Sequence, residues 1–265
     1  MTNDAPRLPD RTVTLTGGAR IPLLGFGTWQ LKGEDAVRAT SAALEAGYRH
    51  LDTATVYGNE KEVGRALADS GVARDDVFLT TKFPPNRAGR ELETLRASLE
   101  MLQTDHLDLW LIHWTEGDSI HEELWRVLLE AQRAGKVRDV GVSNYSLDQI
   151  DRLTWSTGQQ PAVNQIEWAP TLYDDEVARG HAQRGIVLEG YSALKNTNLD
   201  DPVLREIAEA NDVSPAQVLL RWHLDHGFVA IPKSVTPERI AANFAVTGFS
   251  LAAEDVARID ALAAR

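Results

Sequence analysis

The sequence predicts an α/β fold in which eight strand-helix units close into a (β/α)8 TIM barrel. Eight short apolar runs each end in polar residues and are followed by a segment with helical periodicity. The chain has 265 residues, a length at which such a barrel commonly folds as one unit. Because no linker-like stretch or change of composition divides it, we predict a single domain over residues 1–265. A doubly wound parallel sheet is the alternative.

Each predicted strand is paired with the helix that follows it. In the first half the pairs are LLGFGT with 34–46, YRHLDTA with 59–70, VFLTTK with 89–103, and LDLWLIH with 119–134. In the second half they are VRDVGVS with 147–157, AVNQIE with 174–184, IVLEGYS with 201–225, and FVAIP with 237–247. Apolar strands joined by right-handed crossovers form a parallel sheet, and eight of them close most simply into a barrel.

Residues that favour helix starts stand at several of these boundaries. Three pairs have capping-box spacing: Asn59 with Glu62, Ser146 with Gln149, and Ser214 with Gln217. Pro215 and Pro237 suit the first helical position. These signals support the number of units.

Two further elements flank the eight units. TVTLTGGARIPLLG has two short extended runs around Gly17 and Gly18, which predicts a β-hairpin that caps the N-terminal face of the barrel. SLAAEDVARIDALAAR predicts one additional C-terminal helix, because apolar residues recur in it at helical spacing. Its predicted anchors are Leu251, Val256, Ile259 and Leu262.

Charge and composition disfavour several classes of function. The formal net charge of -12 argues against nucleic-acid or anionic-membrane binding, so any anionic ligand needs a local cluster of cations. Cysteine is absent, which excludes disulfides, a thiolate nucleophile and cysteine metal sites, and we expect no metal. MTNDAPRLPD lacks the apolar core of a signal peptide, and no apolar run approaches the roughly 18 residues of a membrane helix. We therefore expect a soluble cytoplasmic protein.

Four ionisable residues lie at or just after the ends of three neighbouring predicted strands. Asp52 and Tyr57 follow the second strand, Lys82 ends the third, and His113 ends the fourth. Taken singly, each has an ordinary structural reading: a turn-capping Asp, a packed Tyr, a solvated Lys and a buried His. Because active sites of TIM barrels lie at the carboxyl ends of the strands, the four together predict a reaction site.

Proton donation is the chemistry that these side chains share. A tyrosine has an ordinary pKa of about 10, and we expect the Lys82 ammonium to lower the pKa of Tyr57 toward working pH. Asp52 would hold Lys82 in place and keep it charged, and His113 would orient the substrate oxygen. The set offers no activated nucleophile and no metal-ligand cluster. If the protonated oxygen belongs to a carbonyl group, the carbon of that group must receive a hydride from elsewhere. A hydride-donating cofactor fits this requirement best.

A candidate site for an anionic cofactor follows the eighth predicted strand. In IPKSVTPERI, Lys233 and Ser234 precede a helix that opens at Thr236 and Pro237 and carries Arg239 in its first turn. Cations beside a helix N-terminus favour phosphate binding, and TIM barrels often hold phosphate at this position. A plain capped helix with solvated cations is the alternative. A Rossmann site is not expected, because GFGTWQ lacks the third glycine of that motif.

The motifs, taken in order, resemble those of the aldo-keto reductase family, and within it the prokaryotic branch similar to 2,5-diketo-gluconate reductase. The resemblance covers nearly the whole chain, through LGFGTW, GYRHLDTATVYGNEKEVG, TK, LDLWLIHW, GVSNY, NQIE, GYSAL and IPKSVTPERI. It implies a TIM barrel that reduces aldehydes or ketones. Asp52, Tyr57, Lys82 and His113 match the family's catalytic tetrad, with Tyr57 as the general acid.

The resemblance also implies an extended cofactor site. The positions matching nicotinamide contacts are Ser143, Asn144, Gln165 and Tyr191, whose ring would stack on the nicotinamide. The positions matching pyrophosphate contacts are Ser192 and Leu194. The positions matching adenosine and 2'-phosphate contacts are Lys233, Ser234, Arg239 and Asn243. This set implies NADPH rather than NADH.

Four residues depart from the family pattern. Thr115 stands where Pro often follows HW, Trp168 and Ala169 stand where Tyr-His precedes Pro, and Ala242 stands where Glu is frequent. We expect the first three changes to alter the pocket wall and Ala242 to remove one adenine contact.

The predicted substrate pocket is open and apolar. Trp29, Trp114 and Trp168 are its expected walls, and the short loop after His113 together with the short C-terminus leaves the mouth uncovered. The resemblance implies a monomer that reduces small carbonyl compounds with NADPH. Two alternatives stay open: a lyase of aldolase type in which Lys82 forms a Schiff base, and a non-catalytic NADPH-sensing protein.

Overall fold

The computed structural model describes residues 12–264 and has eight parallel strands in one sheet. Two strands precede that sheet, β1 (Thr12–Thr14) and β2 (Arg20–Pro22). The eight are β3 (Phe26–Gly27), β4 (His50–Asp52), β5 (Phe78–Phe83), β6 (Leu107–Ile112), β7 (Val137–Ser143), β8 (Val163–Glu167), β9 (Val187–Tyr191) and β10 (Val229–Ala230). They neighbour one another in chain order, as expected for strand-helix units with successive crossovers.

The sheet closes between its first and last strands. A parallel bridge joins Leu24 to Ala230, and Gly25 N donates to Ala230 O at 2.8 Å. The predicted (β/α)8 barrel is confirmed, since a doubly wound sheet keeps two open edges. Closure also explains the glycines of GFG: a Cβ at Gly27 would lie 2.8 Å from Ile231 O, and one at Gly25 would lie 2.9 Å from Ile231 Cγ2.

Helices surround the barrel. They are α1 (Gly33–Ala46), α2 (Glu60–Asp69), α3 (Glu91–Met101), α4 (Glu122–Arg133), α5 (Leu147–Thr157), α6 (Asp175–Gln183), α7 (Pro202–Ala210), α8 (Pro215–Asp225), α9 (Pro237–Phe244) and α10 (Ala253–Asp260). The single helix predicted over 201–225 is wrong, because the chain turns at Asp212, which has a left-handed φ of 54°, and α8 then restarts behind Ser214. Among residues 12–264, no helix is long and apolar enough to cross a membrane.

Two of the three predicted capping boxes are present. Ser146 caps α5 with Gln149, and Ser214 caps α8 with Gln217. The cap predicted at Asn59 is wrong, since its side chain makes no capping hydrogen bond to α2. Instead the buried amide donates to Thr28 O at 2.8 Å and to Leu31 O at 3.1 Å, so it ties the loop after β3 to the start of α2.

The predicted hairpin and additional C-terminal helix are both present. β1 and β2 pair antiparallel, and the turn between them donates from Gly17 N to Asp139 Oδ1 of β7 at 2.7 Å. The hairpin is thereby held against the N-terminal half of that barrel strand. At the other end of the chain, α10 buries Ile259 and its Asp260 accepts from Trp222 Nε1 at 2.7 Å.

Candidate active site

A cavity of about 720 Å³ opens at the carboxyl ends of the barrel strands. This is the face on which TIM barrels carry active sites. The residues predicted from the sequence that line it are Trp29, Asp52, Tyr57, His113, Trp114, Ser143, Asn144, Gln165, Tyr191, Ser192, Leu194 and Lys233. A second cavity of about 760 Å³ lies at the opposite face, where Arg138 pairs with Asp75 at 2.9 Å, and it contains none of the predicted residues.

A buried ion pair forms the floor of the active-site cavity. Lys82 Nζ lies 2.6 Å from Asp52 Oδ1 and 2.7 Å from Oδ2, and it also donates to Thr53 O at 2.9 Å. Both side chains are almost wholly shielded from solvent. Burial by itself lowers the pKa of Lys82, but the Asp52 charge and the hydrogen bond to Asp52 act in the opposite direction, and the net effect is a raised pKa. Lys82 therefore stays an ammonium.

Tyr57 lies between this ion pair and the cavity. Its Oη is 3.4 Å from Lys82 Nζ, and its ring meets the His113 ring edge to face with centroids 5.6 Å apart. Burial raises the pKa of Tyr57 and outweighs the lowering effect of Lys82. The predicted net lowering is thus wrong in direction, although Lys82 acts on the pKa as expected. Tyr57 remains a protonated donor at neutral pH.

His113 is a neutral imidazole at the cavity wall. Burial and the neighbouring Lys82 charge lower the pKa of His113 to about 3. Its Nδ1 is buried without a hydrogen-bond partner among residues 12–264. The other ring nitrogen, Nε2, is therefore the one left for a bound ligand.

Three residues predicted to contact nicotinamide are joined to one another. Tyr191 Oη donates to Asn144 Oδ1 at 2.9 Å, and Asn144 Nδ2 donates to Ser143 Oγ at 3.0 Å. Asn144, and Ser192 directly after Tyr191, have left-handed φ values of 61° and 58°. Such backbone costs about 1 kcal/mol or more per residue and clusters at ligand sites, which supports a binding role for this wall.

The predicted phosphate end lies beyond the cavity. Lys233 lines the cavity, Ser234 lies in the segment before α9, and Arg239 and Asn243 lie within α9. Ser234 Oγ accepts from Thr236 N at 3.1 Å and so orders the start of that helix. Lys233 and Arg239 are exposed, and neither forms an ion pair with another residue of the described chain.

Residues 23–264 match the sequence profile of the Aldo/keto reductase family. The chain belongs to that family. An aldo-keto reductase of Mycolicibacterium smegmatis is 45% identical over 254 residues, 94% of this chain and 92% of that protein. The methylglyoxal reductase of Salmonella typhimurium is 41% identical, over 93% of this chain and 91% of that protein. The structure of a Bombyx mori aldo-keto reductase in complex with NADP superposes with a TM-score of 0.89 at 32% identity, over 95% of this chain and 92% of that one.

Membership confirms the family predicted from the sequence and makes this protein an oxidoreductase. Three residues expected to shape the pocket wall do not line the cavity: Trp168, Thr115 and Ala169, which is fully buried. Trp168 is only 3% exposed and packs against Phe228 in a separate core cluster, so it does not form a pocket wall. Thr115 does not line the cavity either, since its Oγ1 donates to Ser119 O at 2.6 Å within its own loop. Trp29 and Trp114 remain as the two tryptophans that line the cavity.

A buried carboxyl that the sequence reading missed lies beneath the ion pair of the reductase. Glu189 on β9 is fully buried, and neither carboxyl oxygen forms a hydrogen bond of good geometry with a described residue. His50 Nε2 is 3.7 Å away. Burial, together with the Asp52 charge, raises the pKa of Glu189 to about 8. An acidic residue inside the apolar run IVLEGYS is the signal that identifies it.

Glu189→Gln is expected to make the stability of the reductase less sensitive to pH between about 4.3 and about 8. Between the ordinary carboxyl pKa of about 4.3 and the folded value of about 8, the unfolded chain releases the Glu189 proton while the folded chain keeps it. The folded state then binds more protons, so its stability falls as pH rises, by an amount on the order of a few kcal/mol. Urea unfolding at pH 5 and pH 8 measures this.

The exposed Glu130→Gln on α4 is the matched control for the loss of one charge. It should leave the difference between the two pH values as in the parent protein. Equal pH dependence in the parent and in Glu189→Gln would show that Glu189 is ionised in the folded protein.

Proposed function

We propose that this reductase transfers hydride from NADPH to an aldehyde or ketone, with Tyr57 as the general acid. The observation that carries the proposal is the position of Tyr57, which borders the cavity with its Oη 3.4 Å from the ammonium of Lys82. When bound, the reduced nicotinamide supplies the hydride to the carbonyl carbon. Tyr57 gives its Oη–H proton to the carbonyl oxygen, and the electron pair of that bond stays on Tyr57 as phenolate.

Lys82 and Asp52 serve this step together. The ammonium stabilises the negative charge that develops on Tyr57 Oη, and the effect is strong because Lys82 itself is shielded from water. Asp52 keeps the ammonium in place through both of its oxygens. Because the charges of Lys82 and Asp52 cancel, the site can hold a fixed cation beneath the acid without leaving a net charge buried.

His113 orients the substrate in this proposal. We assign the proton of the neutral imidazole to Nε2, because the buried Nδ1 has no acceptor among residues 12–264, and from Nε2 it can donate to the carbonyl oxygen. The ring packs edge to face on Tyr57, so a carbonyl oxygen held by His113 lies next to the acid.

The residues along the cavity fit a nicotinamide dinucleotide phosphate. Asn144 and Ser143 present an amide and a hydroxyl suited to a carboxamide, and the Tyr191 ring beside them offers a stacking face. Lys233 and Arg239 are cations without acidic partners in residues 12–264 of a chain with net charge -12, which suits them to phosphate. The NADP complex of the Bombyx mori relative supports the same class of cofactor.

Arg239→Met is expected to raise the KM for NADPH by about 10- to 100-fold and to leave the KM for NADH nearly unchanged. Loss of one hydrogen-bonded charge pair with the 2'-phosphate costs about 1.5–3 kcal/mol, and NADH lacks that phosphate. The measurement follows reduced-nicotinamide absorbance during turnover of aromatic aldehydes, short ketones, diketones, the keto-aldehyde methylglyoxal, and keto-sugars.

Arg96→Met on the outside of α3 removes the same charge far from the cavity and should change neither KM. Equal increases of KM for the two cofactors would assign Arg239 to another part of the dinucleotide. Binding of NADPH with no turnover of any carbonyl compound would instead favour the sensing protein. The monomeric state and the cytoplasmic location stay predictions.

A further inference from the structure

Gln149 lies at the junction of two segments that border the cavity. It is 6% exposed and occupies the third position of α5, the helix that follows Ser143 and Asn144. Its Oε1 accepts from Ser146 N at 2.9 Å, which completes the capping box. The opposite side of the amide faces a different segment, and the capping box does not account for that contact.

The second contact of Gln149 is with the loop 114–121, which follows His113 and precedes α4. Gln149 Nε2 lies 3.2 Å from Thr115 Oγ1, 3.1 Å from Gly117 O and 3.2 Å from Ser119 O. One NH2 group thus faces three oxygens of the same loop. The loop begins with Trp114, one of the two tryptophans that line the cavity.

Two other residues, Arg152 on α5 and Tyr145 just before it, also contact this loop. The Arg152 contact is exposed to solvent, and the Tyr145 hydrogen bond is longer than those of Gln149. Arg152 pairs with Asp118 at 2.7 Å, and both side chains are substantially exposed to solvent. Tyr145 Oη donates to Ile120 O at 3.3 Å. Exposed ion pairs contribute little, so the buried amide of Gln149 is the main attachment.

We infer that Gln149 is a positioning residue for the substrate, because it fastens loop 114–121, and with it Trp114, to the helix that begins behind Ser143 and Asn144. One amide then sets the distance between the substrate wall and the wall proposed to hold nicotinamide. This inference rests on the proposed function. It also gives a reason for Gln at the third helical position, although capping boxes accept Glu equally well.

Gln149→Glu tests the inference, because it keeps the capping acceptor and removes the donor. A carboxylate in this position faces three oxygens at about 3 Å, so the loop must move away. We expect the KM for an aromatic aldehyde to rise about tenfold or more, with kcat and the Kd for NADPH changed less than about threefold. Amide hydrogen exchange in 114–121 should become faster. Below about pH 5 the carboxyl regains a proton and can donate, so the KM ratio to the parent should fall toward one.

Gln217→Glu is the matched control, since Gln217 completes the same kind of capping box on α8. It should reproduce any cost in thermal stability and leave the aldehyde KM and the exchange of 114–121 unchanged. Gln149→Met removes the amide without placing a carboxylate in the interior and should also speed exchange in the loop, whereas Gln217→Met should not. This second variant keeps the test possible if Gln149→Glu folds poorly.

Unchanged aldehyde KM and unchanged loop exchange in Gln149→Glu would overturn the inference and leave Gln149 a capping residue alone. Failure of the parent protein to turn over any carbonyl compound would refute the proposed function instead. In that case faster exchange of 114–121 in the variant would still support the fastening role, and unchanged exchange would overturn it.

Discussion

Tyr57→Phe is expected to lower kcat for carbonyl reduction by about 10²- to 10⁴-fold while NADPH binds as in the parent protein. The substitution removes one hydroxyl and leaves the ring against His113. Lys82 keeps both Asp52 oxygens and Thr53 O as acceptors, so the ion pair beneath the site has no reason to rearrange. The loss therefore reports proton donation rather than a collapsed site. Steady-state turnover and fluorescence titration with NADPH measure the two quantities.

Tyr173→Phe is the control for this substitution, because Tyr173 does not line the cavity and packs against Trp222. It should retain parental turnover. A Tyr57→Phe protein that reduced carbonyls at the parental rate would remove Tyr57 from the role of acid. Because burial raises the pKa of Tyr57, parental reduction should decline only at alkaline pH, where the acid loses its proton.

The sequence was sufficient to predict the barrel and the cluster of four ionisable residues. The reason is geometric: parallel strands end at one face, so Asp52, Lys82 and His113 had to converge if the strand ends were read correctly. The register partner of Asp52 is Thr80, two residues before Lys82, and the partner of Lys82 is Leu111, two residues before His113. Because a step of two residues returns a side chain to the same face of a strand, the three side chains share one face of the sheet. Strand periodicity therefore carried this information.

The side chains that serve distant loops could not be predicted in the same way. Asn59 and Gln149 both have the local spacing of helix caps, and that spacing is correct only for Gln149. The role of each side chain depends on a tertiary contact. Asn59 bonds to the carbonyl oxygens of Thr28 and Leu31, and Gln149 bonds to loop 114–121. The prediction that Trp168 lines the pocket was wrong for a related reason. Trp168 lies one residue beyond β8, and its side chain packs in the core rather than toward the cavity.

Breaking the buried ion pair from either side is expected to destabilise the protein strongly. In Lys82→Met the Asp52 carboxylate, and in Asp52→Asn the Lys82 ammonium, is left almost wholly buried without its partner charge. Each single change should cost about 3–5 kcal/mol in the free energy of unfolding, because an uncompensated charge remains in the interior. Turnover should fall at least about 10²-fold in both variants. In Lys82→Met, Tyr57 loses the neighbouring cation, and in Asp52→Asn that cation loses the carboxylate that holds it in position. Urea unfolding and steady-state kinetics measure the two effects.

The double variant Asp52→Asn with Lys82→Met separates stability from catalysis. It removes both charges, so most of the lost stability should return, and the cycle should show coupling well above the about 0.5 kcal/mol found for independent sites. Turnover should stay low, because Tyr57 still lacks its ammonium. Recovery of turnover along with stability would show that the pair is structural only.

The same ion pair argues against the Schiff-base alternative, because an amine held charged by two carboxylate contacts at 2.6 and 2.7 Å cannot attack a carbonyl. Borohydride should therefore trap no carbonyl compound on Lys82, and a trapped adduct would require a different reaction from the one proposed.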